Sequence, residues 1–433
     1  MRLASTSYFN AAAAGELPGP EWLRARRLSC WERFVASGPP SESEEIWRYS
    51  RIDDLELERY QPLRQAAPRR PNLASLPASV RELVAAVGPG ATVVVSGADG
   101  EAEVLGPQPG LLVAPAPEGP LGGDREPAVS LGGPGADPFV SLNGAFALAP
   151  WRVSVAPRSA LAKPVVVVHW LEGKGAAFFP RLEVELGEGA SAEVLEVVAG
   201  AGGDMLAVPY SELAVGRDAQ LRFGHVQLLG GDAWQIGNQV SRVGAGGVLR
   251  SMAVALGGYY ARVRADSVLE GEGGDSELLA VYFGTGQQMH DLRTVQHHAA
   301  PRTRSDLLFK GAVADEAQSV YSGLIRVEKG AHGTNAFQTN RNLVLSGGAR
   351  AYSVPNLEIE DNDVRCSHAS AVGPVDENQL FYLESRGVPT SAAERLIVLG
   401  FLDDVVLRFP VSGALGWLRG ALAGKFAEAS TVK

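Results

Sequence analysis

The chain has 433 residues, 45% hydrophobic and 20% charged, enough to bury a core in two or three domains or in one elongated repeat domain. A formal net charge of −10 argues against a nucleic-acid surface, which needs a basic footprint. Two cysteines 336 positions apart (366 − 30) make no disulfide framework, Met1 to Gly15 lacks a signal-peptide pattern, and no apolar run approaches the roughly 18 to 20 residues that cross a bilayer; the cytoplasm is therefore the expected compartment.

Residues 1–80 read as an N-terminal helical region. Pro20 suits a helix start, and Leu28, Trp31 and Val35 fall on one face. Gly38-Pro39-Pro40 breaks that pattern, and the aromatics of Trp47-Arg48-Tyr49 are expected to pack on the chain's own core. Residues 81–138 form a mixed segment, with Pro/Gly-rich linker chemistry from about Gly106 to Pro138 that includes Gly132-Gly133-Pro134.

Residues 139–370 change character. Short strand-like runs cover Val165 to His169, Leu182 to Leu186, Leu213 to Val215, Leu221 to Phe223 and Val248 to Val254. Similar glycine turns separate them, beginning at Gly187, Gly216 and Gly244, which are 29 and 28 residues apart (216 − 187, 244 − 216). A period of this size marks a solenoid. The predicted fold is mainly β: a right-handed parallel β-helix (solenoid) core with N-terminal and C-terminal α-helical regions. Glycine supplies the positive φ of each corner, and Val, Leu and Ile fill the stacked interior. A β-sandwich is the alternative, disfavoured by the period and by the shortage of Asn-Gly and Asp-Gly turns.

Residues 371–433 read as helix again. Asp376 is an N-cap candidate with Gly387 as the stop, and Ser391 to Glu394 is a capping-box pattern. The helix that box opens carries Val398, Leu402, Val405 and Phe409 on one face, and a further helix spans about Ala414 to Ala427. These helices are expected to cover one end of the solenoid or to form a docking module, because an uncapped end exposes unpaired strand edges.

Several chemistries are missing. Gly173-Lys174-Gly175 and Gly424-Lys425-Phe426 are not phosphate-binding loops, and neither a G-x-S-x-G elbow nor an H-E-x-x-H helix occurs. His297 and His298 are adjacent on a strand and face opposite ways, so one is expected to be exposed and the other partly buried, with a structural role for His298. Cys366 and His368, at i and i+2, share a strand face. Both are metal-ligand types, yet a metal site wants three or four ligands and this strand offers two. Glu358, Glu360 and Asp363 add oxygens nearby.

Certain blocks go further. They are Asn342-Leu343-Val344-Leu345-Ser346, Pro355-Asn356-Leu357-Glu358-Ile359, Asp363-Val364-Arg365-Cys366-Ser367-His368, Asp376-Glu377, and Leu380-Phe381-Tyr382-Leu383-Glu384-Ser385-Arg386-Gly387. Asp291 to His298, Ser305, Lys310-Gly311, Gly323 and Trp47-Arg48-Tyr49 join them. In this order they resemble SufD, the scaffold subunit of the SUF iron–sulfur cluster assembly system in the SufB/SufD family. Ala369 and Ser370 stand where that family usually has Gly and Ala. The Cys-Ser-His string resembles SufD more than SufB, whose segment typically has a Glu-His-Glu pattern.

The resemblance implies a non-catalytic scaffold. It implies pairing with a SufB-like homologous subunit, or a homodimer when the chain is isolated, and with a SufC-like ABC-type ATPase, which supplies the nucleotide chemistry this chain lacks. It implies a transient iron–sulfur cluster, shared across the subunit interface, with His368 as the foremost ligand and Cys366 second. It places ATPase docking in residues 371–433, where Phe381, Tyr382, Arg386 and Leu402 are the candidate contacts. The rival class is a β-helix polysaccharide lyase, which needs an acidic calcium cluster beside a basic residue. A stand-alone metal-binding protein is a third class, separable by anaerobic iron titration of the isolated chain.

Overall fold

A computed structural model describes residues 8–63, 72–97, 102–115, 137–148 and 150–429. Its centre is a parallel β-solenoid of about eight turns. Two sheets run side by side, and consecutive strands alternate between them. In the first sheet, Trp234–Val243, Tyr260–Leu269, Met289–His298, Gln318–Val327 and Arg350–Ile359 stack in order. In the second, Val248–Ala255, Asp275–Gly284, Arg304–Val313, Thr334–Val344 and Val364–Gly373 do the same. Register is kept from coil to coil: Tyr260 lies beside Met289, and Met289 beside Gln318. Antiparallel pairs occur only where the solenoid begins, among the described residues.

The corners refine the glycine reading. The first glycine of a turn is not the left-handed one. Positive φ falls two residues later, at Gly189, Asp218, Gly246 and Gly273, and equally at Arg158 and Arg302. Each of these donates its backbone N–H to the next corner, as Asp218 does to the Ala245 carbonyl (2.9 Å) and Gly246 to the Glu272 carbonyl (3.0 Å). The first glycine serves close stacking instead. A Cβ on Gly216 would lie 2.6 Å from the Leu186 carbonyl oxygen, and one on Gly187 2.7 Å from the Pro157 nitrogen.

Helices cover both outer faces. Helices α1 (Ala11–Gly15), α2 (Glu21–Ser37) and α4 (Pro138–Phe146), with Trp47, pack on the first sheet through Phe139, Ile236, Tyr260 and Val320. The fully buried face of α2 is Leu23, Arg27, Cys30 and Phe34; of the predicted residues, Trp31 packs partly buried against that core, while Val35 is exposed. Val35 is exposed because Arg27 turns inward, donating to the carbonyls of Leu17, Pro18, Ala147 and Leu148. After α2 the chain runs as short 3-10 turns rather than continuous helix. In the expected linker, Leu111–Pro115 is a strand paired with Trp151–Val155. Gly132-Gly133-Pro134 lies outside the described residues.

Helices α3 (Ala78–Val87), α5 (Glu377–Ser385), α6 (Thr390–Val406) and α7 (Leu415–Glu428) complete the set. Asp376 caps α5 as expected, accepting from the N–H groups of Asn378 and Gln379. The Ser391 capping box does not form: α6 starts two residues earlier, with Pro389 at the N-cap. Val398, Leu402, Val405, Phe409, Leu418 and Phe426 meet Leu195, Val226 and Val281 on the flank of the second sheet. At about 1.5–3 kcal/mol per large buried side chain, this is a firm attachment. The Lys310 ammonium secures it, pairing with Asp404 (2.8 Å) and donating to the Phe401 carbonyl (3.0 Å). The C-terminal helices therefore lie along the solenoid's side and do not cover its end. Arg350–Ile359 and Val364–Gly373 each pair on one edge only, among the described residues.

Gly216→Ala is expected to cost about 1–3 kcal/mol, the usual range for overpacking against atoms that cannot retreat. Gly231→Ala, with nothing within 4 Å of its added Cβ, is the near-neutral control. Urea midpoints of the two variants check this; equal midpoints would refute the stacking role.

Candidate functional site

Cys366 and His368 sit on the last strand, Val364–Gly373, at the open end. Their neighbours in the ladder are Ala336 and Gln338, on Thr334–Val344. Along that inner strand the even-numbered residues 334 to 342 are buried, so they face the solenoid interior. In-register pairing puts Cys366 and His368 on the same face. Cys366 is half-buried and packs against Ile325, Val327, Ala331 and Ala336. Burial pushes its thiol pKa up, against an opposing hydrogen bond from the Ala336 backbone. His368 is exposed. The spacing argument thus holds: thiol and imidazole look the same way, into an interior that ends here.

The strand pair around them leaves apolar side chains uncovered. Phe337, Tyr352, Val354, Leu357, Ile359 and Val372 are each 36–45% exposed. Tyr49 stacks on Tyr352 (4.8 Å, 3° between planes), while Trp47 is fully buried with the Arg262 guanidinium 3.8 Å above its ring. Asp361, beside the expected oxygen donors, braces a corner by accepting from the Gly330 N–H (3.1 Å) and the Asp363 N–H (2.9 Å). No group of three or more His, Cys, Asp or Glu side chains able to hold a metal occurs among the described residues.

The other predicted positions separate from this end. His297 and His298 are both buried, at 8% and 0% exposure, which corrects the expectation of one exposed ring. The rings do face opposite ways, but the outer one is covered too. His297 Nε2 pairs with Glu328 (2.9 Å). His298 meets the Thr303 hydroxyl through Nδ1 (2.7 Å) and the Ser305 hydroxyl through Nε2 (2.8 Å). Cys30 is buried in α2, with Arg33 donating to its sulfur (3.1 Å). Asp291 accepts from the Tyr260 hydroxyl (2.6 Å) and Arg262 (3.1 Å). Gly311 makes room for the Tyr282 ring. On α5, Phe381 and Tyr382 are 72% and 58% exposed, with the Arg386 guanidinium 5.4 Å from the Tyr382 ring. Leu402 is 1% exposed and belongs to the core under α6, so it cannot be an outward contact.

Sequence reasoning missed an ionisable cluster inside the solenoid. Glu196 is fully buried inside the solenoid. It accepts from the Ser211 hydroxyl (2.7 Å) and meets His225 Nδ1 (2.9 Å) and His169 Nε2 (3.3 Å). Burial alone would raise its carboxyl pKa, but hydrogen bonds from His169 and His225 hold it far below the usual range. The signal was present: the three residues are 27 and 29 apart (196 − 169, 225 − 196), one coil each.

Together these features define a β-solenoid with helix-clad sides and an open terminal coil that presents a thiol and an imidazole. Comparison with known proteins gives that class its family. The SufBD core domain of SUF-system iron–sulfur cluster assembly matches residues 169–401. An iron–sulfur cluster assembly SufBD family protein of Mycobacterium bovis is 36% identical over 284 residues, covering 64% of this chain and 70% of that one. The SufD protein of Bacillus subtilis is 39% identical over 145 residues, 34% of this chain and 33% of its own. A SufBD family protein of Synechocystis is 32% identical over 209 residues, 48% of this chain and 46% of its own. The chain belongs to the SufBD family of iron–sulfur cluster assembly proteins.

The buried histidines predict a pH dependence. Burial lowers the His290 pKa to about 4, helped by the Lys425 charge, and lowers that of His298 to about 3. An unfolded histidine titrates near 6.5. Folded pKa values below that mean the stabilising contribution is complete above about pH 6.5. It is lost as pH falls, by roughly 1.4 kcal/mol per unit for each ring, until the folded value is reached. Urea unfolding at pH 7.5 and 5.0 is expected to show lower stability at pH 5.0, with a smaller difference in a His298→Gln variant. Equal differences in the two proteins would refute this account of His298.

Proposed function

We propose that this chain is a SufD-type, non-catalytic scaffold of the cytoplasm that assembles with a SufB-like homologous subunit and a SufC-like ATPase. The observation that carries this reading is the open terminal coil. Two strands with one free edge each, six half-exposed apolar side chains and two inward-facing metal-ligand types occur together at one end. A free parallel edge is satisfied by another strand. A homologous solenoid would present a matching edge of its own, so pairing would bury the apolar side chains and extend both ladders.

In this reading the site at Cys366 and His368 is half of one. The transient iron–sulfur cluster is cargo, built between subunits, with His368 as ligand from this chain and Cys366 as its secondary donor. The partner completes the coordination that two ligands leave short. Coexpression of the three chains, followed by mass measurement of the intact complex, is expected to give an assembly containing all of them; purification of this chain alone would sink the scaffold reading. His368→Ala is expected to leave folding intact and to impair cluster assembly. Unchanged assembly would remove the ligand role and leave the scaffold role standing.

The ATPase-docking region is residues 371–433, with Phe381, Tyr382 and Arg386 as its contact group. The support is their exposure on a helix whose neighbour α6 is anchored to the solenoid. Nucleotide-driven motion in a docked ATPase would thereby act on the flank of the second sheet. A Phe381→Ala/Tyr382→Ala double variant is expected to lose ATPase copurification while keeping its urea midpoint. Leu402→Ala is expected to cost about 2–5 kcal/mol, as core truncations do. The reverse pattern would show the contact surface to lie elsewhere.

A further inference from the structure

Gln338 lies one coil beneath His368. It is 1% exposed, and neither its Nε2 nor its Oε1 has a hydrogen-bond partner among the described residues. A buried amide left in that state costs about 1–3 kcal/mol. Its place in the ladder narrows what can relieve it. Gln338 stands between Leu307 on one side and His368 on the other. Leu307 has no polar side-chain atom. His368, on the same face at the roughly 4.8 Å spacing of neighbouring strands, has two ring nitrogens.

The opposite sheet is shaped around this amide. A Cβ on Gly323 would lie close to both the Tyr321 hydroxyl and Gln338 Nε2 (2.6 Å), so the bare glycine leaves room for these two side-chain ends. The chain therefore keeps an amide buried without a hydrogen-bond partner among the described residues, one coil beneath the imidazole at the open end.

We propose that Gln338 is the positioning residue for His368: its amide engages one imidazole nitrogen, fixes the tautomer, and leaves the other nitrogen free to bind iron. This rests on the ligand role of His368 proposed above. A ligating imidazole is ordinarily held through its second nitrogen in this way, and removing that support typically costs 10–100-fold in metal affinity or activity. Gln338 itself touches no metal in this arrangement.

The test uses the full chain labelled with 15N-histidine, with His368→Gln assigning the signals. In the wild type, the His368 ring is expected to show one dominant tautomer. In Gln338→Met, an unbranched apolar variant of similar length, the ring is expected to shift toward the tautomer mixture of an unrestrained imidazole. In the coexpressed assembly the same variant is expected to lower cluster formation about 10-fold or more. An unrestrained mixture in the wild type, or unchanged ring signals in Gln338→Met, would overturn the proposal; an ordered water satisfying the amide would give this second result. The wild-type measurement decides the matter even where the variant does not fold. Normal assembly by His368→Ala, with the tautomer still fixed, would instead fail the ligand reading alone.

Discussion

Every coil of this solenoid is completed by its neighbours. A parallel strand in the stack exchanges N–H and carbonyl hydrogen bonds with the strand on each side of it. The same holds at the corners, where each left-handed residue donates to the next turn. No coil can satisfy its backbone alone, so the stack is stable in its middle and unfinished at its limits. The N-terminal limit is finished by antiparallel pairing, in which Thr92–Gly97 pairs with Ala102–Leu105 and Leu111–Pro115 with Trp151–Val155. The C-terminal limit carries no such strand among the described residues. That asymmetry leaves the C-terminal strands with free edges.

The helices respond to a different demand. The outer faces of both sheets carry large apolar residues, and these require cover whatever happens at the ends. Helices α3, α6 and α7 supply it for the second sheet, and α1, α2 and α4 for the first. Once α6 is committed to the flank by Val398, Leu402 and Lys310, it is unavailable as an end cap. The interior, too, changes along the stack. Its early coils hold Val, Leu and Phe around the lone Glu196 cluster, while its last coils hold Gln296, Ser305, Gln338, Asn340 and Asn342. An interior that turns polar toward an open end is suited to meeting a polar guest there.

Much of this was legible in the chain. The spacing of Gly187, Gly216 and Gly244 reports the coil length directly, since each corner must recur at the same height. The strand runs followed from the same rhythm. The role of the glycines was legible only in part, because close stacking against the Leu186 carbonyl depends on coils that sequence spacing does not bring into view. The inward turn of Arg27 was invisible for a similar reason: its carbonyl partners at Ala147 and Leu148 lie 120 and 121 residues away. Leu402 shows the converse error. It was rightly placed on the apolar face of its helix, yet that face turns to the chain's own sheet and not to a partner.

The geometry also orders the two candidate donors. Cys366 packs among Ile325, Val327 and Ala336, where burial favours the neutral thiol over the thiolate. A thiol ligates only after losing its proton, so iron must displace that proton in surroundings that oppose the charge left behind. A neutral imidazole donates a lone pair with no such loss. His368 is exposed and Cys366, two residues along the same strand, is half-buried, so a cluster approaching the proposed half-site would reach the easier ligand first. Subunit pairing would then exclude water and bring the positive charge of iron close to the sulfur. That charge lowers the thiol pKa, as it does for any metal-bound thiol. In the proposed half-site, His368 is therefore the standing ligand, and Cys366 is recruited once the partner has closed the end.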